Sequence, residues 1–110
     1  MKKTTKIVAA FAAAALAFGV APAATAANAT KACLALDTGG VDDKSFNASA
    51  WAGANAAKKA NANVSVSYLA AATDADYAPN IKKLVDSGCD IIVGVGFLIN
   101  SAIVDAAKKN

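Results

Sequence analysis

The chain has 110 residues, 56% hydrophobic and 17% charged, with 11 lysines set against eight aspartates and no histidine. Arginine and glutamate are also absent. That excludes guanidinium forks on bases or phosphates and leaves no imidazole for proton transfer. The formal charge of +3 belongs to Lys2, Lys3 and Lys6, because beyond residue 26 eight lysines balance eight aspartates; no nucleic-acid partner is expected.

Those three lysines open a leader. An apolar, alanine-rich run follows over 7–20, and Ala24-Thr25-Ala26 then presents small residues. This is the layout of a secretory signal peptide, with cleavage expected after Ala26. The run 7–20 is shorter than the roughly 20 residues a spanning helix needs. Residues 27–30 read as a flexible new N-terminus and 31–110 as the folded part. That part is small and alanine-rich for a well-filled core. It also stops in or just after a helix without a closing strand, so a piece of a larger protein is expected. Lipid attachment at Cys33 is not expected: Lys31 occupies a position where a small residue is required, and the cysteine lies well beyond the apolar run.

In chain order, 31–36 reads as a buried strand, with the apolar run Cys33-Leu34-Ala35-Leu36. A polar loop, DTGGVDDKSFN over 37–47, leads into a helix at 46–60. Ser45 is its expected N-cap, and Lys58 and Lys59 suit the negative end of its dipole. Over 64–69 Val64, Val66 and Tyr68 alternate with Ser65 and Ser67, the mark of a strand with two unlike faces. A helix is expected over 76–87, capped by Asp76, buried through Ile81, Leu84 and Val85 and stopped by Gly88. The β-branched run 90–95 is the strongest strand and ends in Gly94-Val95-Gly96-Phe97. A third helix is expected over 98–109 with Ile103, Ala106 and Ala107 inward.

A β-α-β-α-β-α order argues for an α/β fold: a parallel sheet with helices on both faces and right-handed crossovers. With strand order 2-1-3, ligands bind where the order reverses, outside the carboxyl ends of the first and third strands. The loops at 37–47 and 94–97 should therefore face one another. The same topology sets Cys33 and Cys89 at the starts of adjacent strands about 4.8 Å apart, within disulfide range, so a Cys33–Cys89 bridge is expected.

The chemistry of the first loop is recognition. Asp37 is an acceptor for sugar hydroxyls or an amine. Gly39 and Gly40 let the backbone turn tightly beside a ligand. Phe46 and Phe97 offer stacking faces, and Asn47 can both donate and accept. Each has a plainer reading: Asp37 or Asp42 as a turn cap, Phe46 as core, Asp42 and Asp43 as a solvated loop, and Trp51 as an ordinary core aromatic. Catalysis is poorly supported. No base stands near a nucleophile, and the glycines do not form a phosphate-binding loop. Asp37, Asp42 and Asp43 on Mg²⁺ in a secreted α/β enzyme fragment is the alternative, and a non-functional fragment is a third.

The segment LALDTGGVDDKSFNASAWAG resembles the N-terminal signature of the basic membrane protein family, the PnrA-like substrate-binding proteins of ABC transporters. The D-x-G-G-x-x-D-x-S-F-N pattern falls on Asp37, Gly39, Gly40, Asp43, Ser45, Phe46 and Asn47. A second block, DADYAPNIKKLVDSGCDIIVGVGF over 74–97, also resembles the family. The resemblance implies part of the first lobe of a type I periplasmic-binding-protein fold. It implies an exported, non-enzymatic receptor without cofactor or metal that binds purine or related nucleosides and passes them to permease and ATPase subunits at the membrane. Asp37, Phe46 and Asn47 would line the nucleoside site, with Gly96 and Phe97 nearby. Family members are about three times longer, so the second half of the clamp would lie outside this sequence, and many are lipoproteins.

Overall fold

A computed structural model describes residues 28–110; the leader expected over 1–26 lies outside the described residues. The elements are β1 (Thr30–Leu36), α1 (Phe46–Ala60), β2 (Val64–Ala70), a 3-10 turn (Asp74–Asp76), α2 (Tyr77–Asp86), β3 (Ile91–Val95) and α3 (Asn100–Lys109). The three strands form one parallel sheet, as the β-α-β succession predicts, in the order β2-β1-β3. β1 begins at Thr30, whose N–H donates to the Asn63 carbonyl at 2.8 Å, so pairing reaches into the segment expected to be flexible.

β1 is central and apolar without alternation because both of its faces are covered. Leu34 and Leu36, with Val95 of β3, are buried on the α1 side. There Trp51 of α1 packs edge-on to Tyr68 of β2, ring centres 4.7 Å apart, which is the core role expected of this tryptophan. On the other side Cys33 and Ala35 join Tyr77, Ile81, Leu84 and Ile99 beneath α2 and α3. Burying a side chain such as Ile81 or Leu36 contributes about 1.5–3 kcal/mol. Gly94 lies inside β3, paired with Ala35. It lets α3 sit directly on the strand: a Cβ there would fall 2.7 Å from Ile103 Cδ1.

Several local expectations shift. α2 starts at Tyr77, and Asp76 does not cap it forward. Its carboxylate instead accepts the N–H groups of Ala72 and Thr73 at 3.0 and 2.9 Å, and Thr73 reciprocates in a capping box around the 3-10 turn. Gly88, with φ +78, ends α2 as expected. α3 starts two residues later than its pattern suggests, leaving Leu98 in a turn. Ala107 is exposed, while Ile99, just ahead of the helix, is buried instead. β3 is less enclosed than its composition implies. Ile91 and Val93 share a face with Ala32 and Leu34 but remain 52% and 46% exposed, because α1 lies chiefly over β1 and β2.

Cys33 and Cys89 are joined by a disulfide, with Cα atoms 6.0 Å apart. Cys89 lies in the connection leading into β3, two residues before the strand, and not at the strand's first position. The cross-link therefore runs diagonally and its Cα separation is within the usual range.

Candidate functional site

The first and third strands end side by side, and their loops enclose a cleft of about 210 Å³. Asp37, Thr38, Asp43, Phe46 and Asn47 line it from the β1–α1 loop; Gly96, Phe97 and Leu98 line it from the β3–α3 loop. Gly39, Gly40 (with φ +71) and Ser45 lie outside this lining and shape the loop that carries it. Thr38 and Leu98 were not singled out by motif. Thr38 is the variable position of the pattern, and Leu98 reads as helix by periodicity.

Asp43 organises the entrance to α1. Its Oδ1 accepts the N–H groups of Ser45 and Ala48, each at 2.9 Å, and its Oδ2 accepts that of Asn47 at 3.0 Å. Ser45 occupies the N-cap position but makes no side-chain capping bond; the capping acceptor comes from two residues earlier. The intervening Lys44 takes a left-handed φ of +54. The Ala48 N–H is the largest influence on the Asp43 carboxyl. With Ser45 and Asn47 it outweighs desolvation and holds the group below the usual carboxylate range. The positive end of α1 is thus already occupied by an anion of the chain itself.

Asn47 is 1% exposed. Its Nδ2 donates to the Asp37 carbonyl at 3.1 Å, tying α1 to the end of β1. Its Oδ1 is buried without a hydrogen-bond partner among the described residues. Gly39, at φ +109, carries the chain past this pair; a Cβ there would lie 3.5 Å from Asp43 Cβ.

Asp37 projects from the strand end across Gly96. At φ +110, Gly96 has no room for a side chain: a Cβ would lie 2.7 Å from Asp37 Cβ and 2.8 Å from its Cγ. Asp37 Oδ1 accepts the Thr38 N–H at 2.7 Å, the Thr38 hydroxyl at 3.4 Å and the Tyr77 hydroxyl. Desolvation is the largest single influence on this carboxyl and acts upward. The hydrogen bonds from Tyr77 and Thr38, with a smaller one from the Leu98 N–H, together prevail and hold it low. Phe46 and Phe97 stand at the rim, 66% and 87% exposed; neither is core.

A larger hollow of about 730 Å³ runs between α2 and α3. Its walls are alanines and helix-surface groups such as the exposed Lys82–Asp86 pair, 2.6 Å apart. Among the described residues no three carboxylates or thiols come together as a cation site, so Asp37, Asp42 and Asp43 do not converge on one point.

A family described as ABC transporter substrate-binding protein PnrA-like matches residues 30–110. The chain is similar to a CD4+ T-cell-stimulating antigen of Listeria monocytogenes, 43% identical over 77 residues, covering 66% of this chain and 22% of the relative. It is similar to the ABC transporter nucleoside-binding protein BmpA of Lactococcus lactis, 34% identical over 83 residues, covering 73% and 24%. It is also similar to an uncharacterized lipoprotein of Pyrococcus abyssi, 36% identical over 86 residues, covering 77% and 21%. The chain thus spans about a quarter or less of the length of these curated relatives. With the family's match running from β1 through α3, the chain belongs to the PnrA-like family of ABC transporter substrate-binding proteins.

Proposed function

We propose that the protein acts as an exported receptor without catalytic activity, capturing purine or related nucleosides for ABC permease and ATPase subunits and meeting the membrane through that transporter. The observation that carries this reading is the cleft at the strand ends, where two exposed aromatic rings flank a carboxylate held in its ionised form. Exposed aromatic rings suit the flat faces of a base, and a carboxylate accepts ring N–H groups or ribose hydroxyls.

The electrostatics favour a nucleoside over a nucleotide. Asp37 and Asp43 both line the cleft, and the N–H groups at the start of α1 that would otherwise hold a phosphate are taken by Asp43. A volume of about 210 Å³ is below the roughly 300–1,000 Å³ of enclosed ligand sites. The described residues therefore supply one wall of a clamp, and binding to this chain alone should be weak. The name of the Lactococcus relative supports the ligand class. Export through the leader at 1–26 fits the disulfide. Tethering through Cys33 does not fit, because this residue is fully buried in β1 and bonded to Cys89.

Titration of the isotope-labelled chain with guanosine, inosine and adenosine tests the reading. Backbone resonances of residues 37–47 and 96–98 should move, and the corresponding monophosphates should move them less. Shifts confined to the α2–α3 hollow, equal response to the monophosphates, or no shift up to the solubility limit would each overturn it.

A further inference from the structure

We infer that Tyr77 is a positioning residue for the cleft: its hydroxyl fixes the Asp37 carboxylate so that Oδ2 is presented over Gly96 as the acceptor a ligand meets. The sequence separates the two residues by 40 positions, and the loop motif does not contain Tyr77. The ligand-facing part of this inference rests on the nucleoside reading; the positioning itself does not.

Tyr77 is the first residue of α2 and its ring is 4% exposed, packed in the core cluster with Ala71, Ile81 and Leu84. The ring is therefore held on the sheet face opposite α1, independently of the β1–α1 loop that carries Asp37. Thr38 also donates to Asp37 Oδ1, but as the next residue in the chain it moves with Asp37. Tyr77 belongs to a separate element, so its bond, with the smaller one from the Leu98 N–H, fixes the carboxylate relative to the fold. With three donors gathered on Oδ1, the other oxygen lies against the Gly96 backbone, where no side chain can displace it. An ionised carboxylate offers about four lone-pair directions, so Oδ2 retains acceptor capacity towards the cleft. A neutral phenol donating to an ionised carboxylate pushes the phenol up and holds the carboxyl low. The bond is the main influence raising Tyr77, and it acts against desolvation in lowering Asp37.

Tyr77→Phe keeps the buried ring and removes only the donor. In the folded variant, checked by its intact disulfide and thermal transition, the Asp37 carboxyl followed by carbon NMR should titrate at higher pH than in the parent. Nucleoside-induced shifts at residues 37–47 should require about tenfold more ligand. An unmoved Asp37 titration overturns the inference, as does unchanged nucleoside affinity in a variant whose Asp37 has shifted. If Tyr77→Phe does not fold, Asp37→Asn decides: the Tyr77 phenol should then titrate at lower pH than in the parent, and an unchanged phenol overturns the inference. The carboxyl titration needs no ligand. Failure of both parent and variant to bind nucleosides would therefore count against the receptor reading alone.

Discussion

The two ends of the sheet are built differently. Near the amino ends of β1 and β3 the chain closes on itself. Cys33 is bonded to Cys89, the Lys31 N–H donates to Asp90 Oδ2 at 2.7 Å, the Asp90 N–H returns to the Lys31 carbonyl at 2.8 Å, and Lys31 Nζ reaches the Ser87 carbonyl at 2.8 Å. At the carboxyl ends the arrangement is open. Gly39, Gly40 and Gly96 take positive φ, Phe46 and Phe97 face solvent, and Asn47 keeps a buried oxygen without a partner among the described residues. The difference teaches that one end of the sheet is cross-linked and the other is left open. Cross-links at one end hold the register of β1 against β3. The other end can then carry exposed rings and unusual backbone that would not persist without such support.

The comparison is broken most directly at the closed end. Reducing Cys33–Cys89, or replacing both residues by serine, releases a loop spanning 56 positions. It should remove about 4 kcal/mol on the chain-entropy account, a large share of what a domain this small retains. Thermal denaturation with and without reductant measures this, and mass spectrometry of exported protein showing two free thiols would remove its premise. Gly96→Ala should come next. It places a Cβ against Asp37 at a backbone angle that side chains rarely adopt, costing about 1–3 kcal/mol, and it should abolish nucleoside-induced shifts. A stable variant with normal shifts would show that the cleft does not depend on this close approach.

Asp43 links the two behaviours through pH. Its carboxyl is held below the ordinary value of 3.8 in the folded chain. Its contribution to stability is therefore fully present above that value and is lost as pH falls through the lower folded one. Asp43→Ala should lower the melting temperature at neutral pH, by less than loss of the disulfide, and should flatten the acid limb of the stability curve. Melting scans from neutral to acid pH give the answer; parallel parent and variant curves would contradict the capping role. The smallest effect on stability belongs to Phe46→Ala and Phe97→Ala. As exposed residues they should change folding by no more than about 0.5 kcal/mol. Each should cost about 1–3 kcal/mol of nucleoside binding if a base stacks on it. A stability loss as large as a core deletion would place these rings in the fold and not in the site.

Much of this was legible from residue order. Six elements followed from period-2 and helical spacing, because burial imposes those periods locally; the strand order was a supposition that the sheet bears out. The strand-end position of both loops followed from topology alone. Local polar details were less legible. Ser45 and Asp76 both sit where a capping residue belongs, yet Asp43 caps α1 and Asp76 closes the preceding turn. Side-chain acceptors a few positions apart compete for the same N–H groups, and loop geometry selects among them. Ile91 and Val93 have the composition of a covered strand but lie on a face that α1 only partly reaches, which depends on how one helix crosses three strands.

The sequence by itself determined an α/β unit and the family motif from Asp37 to Asn47, both consequences of residue order along the chain. Only the tertiary structure decided that Tyr77 reaches Asp37, that Gly96 gives that carboxylate its room, and that Asn47 is buried while Phe46 is not. These relations join residues from different elements. They depend on where packed helices and strands come to rest, a quantity that no local period encodes.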